Sequence, residues 1–235
     1  MSNQKNLKEE IREGKGKFKE LSFREKIGYI KDYYSIHILA AIIIIIAVFA
    51  IYRTYKEQNF ETVLYTVLIN NDKSIWDEDE DKYAKGLSDP FEAYLGIDGK
   101  EQRVVVDNSY ILDYDRDAEM SVYSAESLVA MFYGSHIDVH IGDRLSLDYF
   151  CQDNDCFFYD LRNIFDEDFL KRHEDKIEYC TFTDGTKIPV AFDISDCRIA
   201  QELDLTISPP LIAVFFNTKR LDTAVEYIRF ILDEL

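Results

Sequence analysis

The chain has 235 residues and a net charge of −18, with 45 acidic and 27 basic side chains. So acidic a chain is repelled by phosphates, which excludes nucleic acid as a partner. Aromatic residues make up 14% of the sequence, which indicates a folded domain.

The N-terminal segment, residues 1–34, carries nine basic and six acidic side chains. Residues 1–20 are mostly charged and predict a mobile tail. Ser22 and Glu25 have the spacing of a capping box, so a juxtamembrane helix is expected to begin at Ser22. An apolar stripe continues to Tyr34. It fits either a helix lying on the inner membrane surface or an extension of the helix that follows.

Residues 36–52 read IHILAAIIIIIAVFAIY, without a charged side chain. Counted from Tyr33, the run is long enough for a helix of about 30 Å, the thickness of the hydrocarbon core of a bilayer. A helix that is apolar on all sides is buried either in a large core or in lipid. We therefore predict a transmembrane helix at 35–52, with the lipid bilayer as its partner. Four tyrosines at its ends are typical of membrane interfaces: Tyr33, Tyr34, Tyr52 and Tyr55.

Charge predicts the orientation of this helix. Residues 57–235 hold 16 basic and 39 acidic side chains, a net charge of −23. The shorter, basic segment is expected to stay in the cytoplasm, which places the C-terminal part outside the cell membrane. Val48-Phe49-Ala50 resembles a signal-peptide cleavage site, but the preceding segment is much longer than that of a usual signal peptide. An uncleaved anchor followed by a connector at 53–60 is the favoured interpretation.

Residues 61–235 alternate between strand and helix patterns, which predicts one extracytoplasmic α/β domain. The first strand, Glu61–Ile69, is rich in β-branched and aromatic residues and is expected in the centre of a parallel sheet. A helix at 82–96 is predicted to break or begin near Pro90. Further strands are predicted at 103–112, 137–141, 177–182, 187–194 and 211–216, with helices at 121–132, 145–150 and 166–175 and from Leu221.

Two acidic segments have the spacing of a calcium loop. The first contains Asp77, Asp79 and Asp81 beside Trp76, the only tryptophan, and the second contains Asp113, Asp115 and Asp117. Both lack the glycine and the glutamate that such a loop requires, so they are interpreted as solvated loops.

The strand at 137–141 places His136, Asp138 and His140 on one face and Ile137, Val139 and Ile141 on the other. A His-Asp-His set suits zinc, but side chains on one face of a strand stand nearly 7 Å apart. A structural role is therefore favoured, and no metal ligand is predicted.

The four cysteines, Cys151, Cys156, Cys180 and Cys197, all lie in the predicted extracytoplasmic domain. An even count is consistent with two disulfides, of which Cys151 with Cys156 and Cys180 with Cys197 would close local loops. Free buried cysteines are the alternative. Zinc is disfavoured because the sequence lacks C-x-x-C and nearby paired histidines.

Motifs for phosphate binding, nucleophile elbows and metalloproteases are absent from the sequence. No catalytic residue and no cofactor is therefore predicted, and the chain is interpreted as a non-enzyme.

Three segments carry a resemblance to a known family. They are residues 124–143 (SAESLVAMFYGSHIDVHIGD), 187–194 (KIPVAFDI) and 209–231 (PPLIAVFFNTKRLDTAVEYIRFI). Together they resemble the extracellular solute-binding proteins of the two-lobed periplasmic type, in a shortened, membrane-anchored form known from clostridial bacteria. The resemblance implies a reduced two-lobed domain whose late strand and closing helix return to the first lobe. It implies no ligand-binding residue, because the family has no fixed ligand motif.

Two functions of different class follow. The resemblance favours binding of a small polar solute, such as a sugar or a peptide, in an interlobe cleft, with a transporter as a candidate partner. The alternative is a protein-interaction module of a membrane complex whose cleft is degenerate.

Overall fold

The computed structural model of the protein describes residues 22–71, 80–152 and 155–233. The chain divides into two units, Met1–Asn59 and Phe60–Leu235. Several predictions lie outside the described residues: the tail at 1–20, the acidic segment around Trp76, and the side chains of Tyr33 and Asp81.

The first unit contains one long helix, α1 (Phe23–Gln58), which runs without a break. The structure thus has the continuous extension of the apolar helix, the second of the two alternatives for the segment after Ser22. Within α1, Tyr34–Tyr55 is long and apolar enough to cross a membrane, and none of it is buried by other parts of the protein. Isoleucines in a row, such as Ile44 and Ile45, are more than half exposed, which is unfavourable in water and favourable in lipid.

The second unit is built on a mixed six-stranded sheet. The described strands are β1 (Glu61–Ile69), β2 (Gln102–Tyr110), β3 (Val139–Gly142), β4 (Cys151–Gln152), β5 (Asp155–Cys156), β6 (Ile177–Thr181), β7 (Lys187–Asp193) and β8 (Leu211–Val214). The order in the sheet is β2-β1-β3-β8-β7-β6. β1 pairs in parallel with β2 and β3, whereas β3, β8, β7 and β6 pair antiparallel, each with the next. A separate hairpin joins β4 and β5.

Helices cover both faces of this sheet and create two apolar cores. On one face, β1 contributes Leu64 and Leu68, and on the other it contributes Val67 and Ile69, because successive strand residues point to opposite sides. The described helices of this unit are α2 (Glu80–Leu95), α3 (Ala118–Tyr133), α4 (Arg144–Tyr149), α5 (Glu167–Arg172), α6 (Arg198–Leu203) and α7 (Leu221–Ile231). The first core also contains residues of α2, α5, α6 and α7, and the second contains residues of α3 and α4.

Helix α2 continues through Pro90, where a break or a start was predicted. Proline removes one backbone hydrogen bond and strains a helix interior. Leu87 and Phe91, on either side of Pro90, are completely buried in the first core. Packing of these two side chains holds the helix together across the proline.

The outer edge of the sheet at β2 is capped by a side chain of α2. The carboxylate of Glu92 accepts a hydrogen bond from the backbone N–H of Val104 at 2.8 Å. This bond occupies a strand donor that faces no neighbouring strand.

The predicted α/β class and the apolar N-terminal helix are confirmed. β1 has a parallel neighbour on each side, as predicted, but the sheet is mixed and β1 is the second of its six strands. The finer prediction of two lobes is not confirmed, because all described strands except the β4–β5 hairpin belong to one sheet. The predicted common face of Ile137, Val139 and Ile141 is wrong for Ile137. This residue precedes β3 and packs in the second core, whereas Val139 and Ile141 pack in the first.

Candidate functional site

The parallel strands β1, β2 and β3 end at one edge of the sheet, which we call the carboxyl edge. Ligands of open α/β sheets bind at this edge, near the point where the strand order reverses. Here the order reverses at β1, which lies between β2 and β3. The residues after these three strands therefore form the first candidate site.

Asn70 joins the three strand ends. Its Nδ2 donates to both carboxylate oxygens of Asp143, at 3.0 and 3.1 Å, and its Oδ1 accepts from the backbone N–H of Leu112 at 2.6 Å. The backbone of Asn70 is left-handed, with a φ of 63°, a region that asparagine enters more easily than most residues. This turn directs the amide back across the edge.

Asp143 serves the helix that follows β3. Its Oδ1 accepts from the backbone N–H of Ser146 at 2.9 Å and so caps the start of α4. The Ser146 hydroxyl donates to the carbonyl oxygen of Asp143 at 2.9 Å and lies 3.0 Å from Nε2 of His140. Asn70, Asp143, Ser146 and His140 thus form one continuous polar chain.

The Ser146–His140 contact has the distance of a nucleophile and its base, but both side chains are sealed from solvent. Burial lowers the pKa of His140 to about 3, so its ring is neutral. The ring packs among the aromatic residues Phe150, Phe158 and Phe215. The pair lies in the core beneath the carboxyl edge.

Asn71, next along the chain, carries a polar group without a partner among the described residues. Its Oδ1 accepts from the hydroxyl of Thr206 at 2.9 Å, whereas its buried Nδ2 makes no hydrogen bond there. Only 1% of Asn71 is exposed. A buried donor without an acceptor is costly, and it would be satisfied by a carbonyl or carboxylate oxygen of a ligand.

The predicted set of His136, Asp138 and His140 is dispersed. Asp138 is completely buried just before β3, where Oδ2 accepts from Nε of Arg220 and from the backbone N–H of Tyr65, both at 2.7 Å. His136 contributes its carbonyl oxygen to the same guanidinium at 3.0 Å. Asp138 therefore holds Arg220 at the opposite, amino edge of β3, away from the Ser146 partner of His140.

The second acidic segment has turn and capping roles. Asp113 accepts from the backbone N–H groups of Asp115 and Arg116, each at 3.1 Å. Asp117 caps the start of α3 by accepting from the N–H of Met120 at 3.0 Å. These bonds give Asp113 and Asp117 local structural roles at the turn and at the helix start.

The cysteines divide into a disulfide, Cys151–Cys156, and two free buried thiols, Cys180 and Cys197. The structure does not contain the considered Cys180–Cys197 bond. Cys180 lies beside the disulfide instead: the Sγ atoms of Cys151, Cys156 and Cys180 are all within 4.8 Å of one another. No local pattern in the sequence signals this approach, since Cys180 is 24 positions beyond Cys156.

A second candidate site is the side of α3 that faces away from the sheet, the α3 outer face. Val122, Tyr123 and Tyr133 are 49%, 63% and 72% exposed there. At its end, the Tyr133 ring contacts Phe157 at 6.1 Å between ring centroids. The charged side chains of the face, Glu119 and Glu126, are both acidic. A surface helix normally presents polar residues outward, so this apolar face is typical of a helix that has a partner.

The tyrosines predicted at the membrane interface lie on α1. Tyr34, Tyr52 and Tyr55 are exposed near the two ends of the apolar stretch, and Tyr34 contacts His37 at 6.2 Å between ring centroids.

Comparisons of the chain with family models, with curated proteins and with solved structures found no match.

Proposed function

We propose that the protein is a single-pass membrane protein with a cytoplasmic N-terminus, whose extracytoplasmic α/β domain is a non-enzymatic interaction module of a membrane complex. The observation that carries this proposal is the α3 outer face, where an apolar surface remains exposed on a folded domain. The sealed Ser146–His140 pair supports the non-enzymatic part, because a catalytic pair must meet its substrate.

The charge of the domain specifies the chemistry of the partner. Residues 57–235 have a net charge of −23, and the charged members of the α3 outer face are acidic. A second copy of this chain would bring like charges together. The partner we propose is therefore a different membrane protein with an apolar strip bordered by lysine or arginine.

Site-specific photocrosslinking tests this assignment. The full-length chain, with a photoreactive phenylalanine analogue replacing Tyr123, is expected to form one discrete adduct in native membranes. The matched control is the same analogue at Tyr179, another exposed tyrosine of the domain, on β6. Mass spectrometry of the adduct should identify an apolar peptide flanked by basic residues, and high salt should reduce the yield.

Equal adducts from positions 123 and 179 would contradict a specific α3 interface. An adduct of the chain with itself would contradict the basic partner.

Solute binding is the second candidate, and the unpaired Nδ2 of Asn71 favours it. The late strand β8 lies antiparallel between β3 and β7, in the same sheet as β1. On this proposal, the domain corresponds mainly to one lobe of a solute-binding protein. The carboxyl edge would then hold a small polar solute, delivered to a transporter or sensed by a partner.

Thermal unfolding of the full-length protein in detergent, with sugars, amino acids, peptides and divalent ions added singly, tests solute binding. A ligand of the folded state raises the unfolding temperature. The matched variant is Asn71→Asp, which keeps the acceptor for Thr206 and removes the free donor. A shift in the wild type that is retained in Asn71→Asp would exclude this asparagine as the binding group.

A further inference from the structure

Three cysteines from separate strands lie close together at the β6 edge of the sheet. Cys151 and Cys156 face each other across the β4–β5 hairpin, and Cys180 lies on the edge strand β6. Their three Sγ atoms lie within 4.8 Å of one another. The cysteine side chains of the hairpin therefore lie next to the cysteine side chain of β6.

This spacing suits a thiophilic metal ion. Zinc binds thiolates at about 2.3 Å in a tetrahedral arrangement, which places neighbouring sulfur atoms roughly 3.8 Å apart. The Sγ atom of Cys180 already lies within 4.8 Å of the other two, and the Cys151 and Cys156 sulfurs can move apart to that separation once their bond is broken. Cys180 is 2% exposed, whereas Cys151 and Cys156 are partly exposed, so an ion can enter from the hairpin side.

We propose that Cys151, Cys156 and Cys180 form a redox-gated zinc site, closed by the Cys151–Cys156 disulfide and open to Zn²⁺ when that bond is reduced. This proposal does not depend on the partner proposed for the α3 outer face or on solute binding at the carboxyl edge.

The chemistry balances in two steps. A dithiol reductant supplies two electrons and two protons: the Sγ–Sγ bond breaks, Cys151 and Cys156 become thiols, and the reductant becomes a disulfide. Binding of Zn²⁺ then forms three zinc–sulfur bonds and releases three thiol protons. A water molecule completes the fourth position, as in zinc sites with three protein ligands.

Without a bound cation, the surroundings of Cys180 disfavour its thiolate. Burial and the carboxylate of Asp148 raise the pKa of the Cys180 thiol, and Arg144, whose Nε lies 2.9 Å from Asp148, offsets only part of this rise. A bound cation removes this cost, because it stabilises the thiolate directly.

The test uses the full-length protein in detergent micelles, titrated with Zn²⁺ against a chromophoric chelator. After reduction by a phosphine, the wild type is expected to bind one equivalent of Zn²⁺, and the disulfide form is expected to bind none at this site. Cys180→Ser should weaken binding by at least about tenfold, since it removes one of three ligands. Cys197→Ser is the matched control and should bind as the wild type does.

A second measurement uses only the wild type, so it remains valid if the Cys180→Ser variant misfolds. Cd²⁺ added to the reduced wild type produces a sulfur-to-metal absorbance whose intensity counts the bound thiolates, and three are expected. Equal zinc binding by the reduced and oxidised proteins, unchanged binding by Cys180→Ser, or a count of two thiolates would each overturn the proposal.

Discussion

Asp138 and Arg220 form an ion pair at the amino edge of β3, with 2.7 Å between Oδ2 and Nε. The carboxylate is fully buried, and the guanidinium side chain is only 25% exposed. Asp138 also accepts from the backbone N–H of Tyr65 and from the hydroxyl of Thr218. The pair therefore ties β1, β3 and the segment before α7 together.

Arg220→Ala should destabilise the domain by about 3–5 kcal/mol, because it leaves the Asp138 carboxylate buried without its counter-ion. The control is Arg198→Ala, which removes exposed ion pairs with Glu202 and Asp233 and should cost at most about 1 kcal/mol. Urea denaturation of the full-length protein in detergent measures both. Similar losses in the free energy of unfolding for the two variants would show that the buried ion pair contributes no more to stability than the exposed ones.

Asn70→Asp should destabilise the carboxyl edge by about 2 kcal/mol or more at neutral pH. The change removes the Nδ2 donor and places a second carboxylate against Asp143, and a partly buried like-charge pair is unfavourable. The deficit relative to the wild type should shrink as the pH falls toward about 4, because repulsion makes one carboxyl of the pair take up a proton at a higher pH than an isolated carboxyl does. Denaturation of both proteins across this pH range gives the difference. A deficit independent of pH would contradict the charge argument.

His140→Gln should flatten the dependence of stability on pH. Burial lowers the pKa of His140 from 6.5 to about 3, so between these values the unfolded chain binds a proton that the folded chain does not. The contribution of His140 is thus complete above pH 6.5 and is lost as the pH falls toward 3, at up to about 1.4 kcal/mol per pH unit. Parallel unfolding curves from pH 7 to pH 4 test this, and identical slopes for the two proteins would contradict it.

The double substitution Ile43→Asp and Ile46→Asp should release the protein from membranes, because each central aspartate disfavours insertion by about 3 kcal/mol. Leucine at the same two positions is the control. Resistance to alkaline carbonate extraction separates the variants. Full retention of the aspartate variant would contradict a membrane span in α1.

The proposed orientation predicts the behaviour of a reporter fused after Leu235. Alkaline phosphatase, which matures outside the cytoplasm, is expected to be active there. A cytoplasmic reporter at the same position is expected to be inactive. The reverse pattern would invert the proposed topology.

Local patterns in the sequence predicted those features that depend on neighbouring residues. β1 was predictable because residues 62–69 are all β-branched, aromatic or apolar, and α1 was predictable because its apolar run is long. The continuation of α2 through Pro90 was not, since it depends on the burial of Leu87 and Phe91 in a core assembled from distant segments.

The candidate sites were harder to predict from the sequence. Asn70 and Asp143 are 73 positions apart and meet only because β1 pairs with β3. Cys180 approaches the disulfide for the same kind of reason, through the placement of β6. The exposure of the α3 outer face could not be predicted either, because the sequence of an apolar helix does not show which of its sides other parts of the domain will cover.

On the proposed membrane attachment, copies of this domain would be confined to one surface and would meet often. An edge strand with free N–H groups can add a strand from a neighbouring copy and begin an aggregate, and the Glu92–Val104 hydrogen bond occupies one such group. By occupying the N–H of Val104, the Glu92 carboxylate makes edge-to-edge pairing between neighbouring copies less favourable. It also adds a negative charge at the place where two such edge strands would meet.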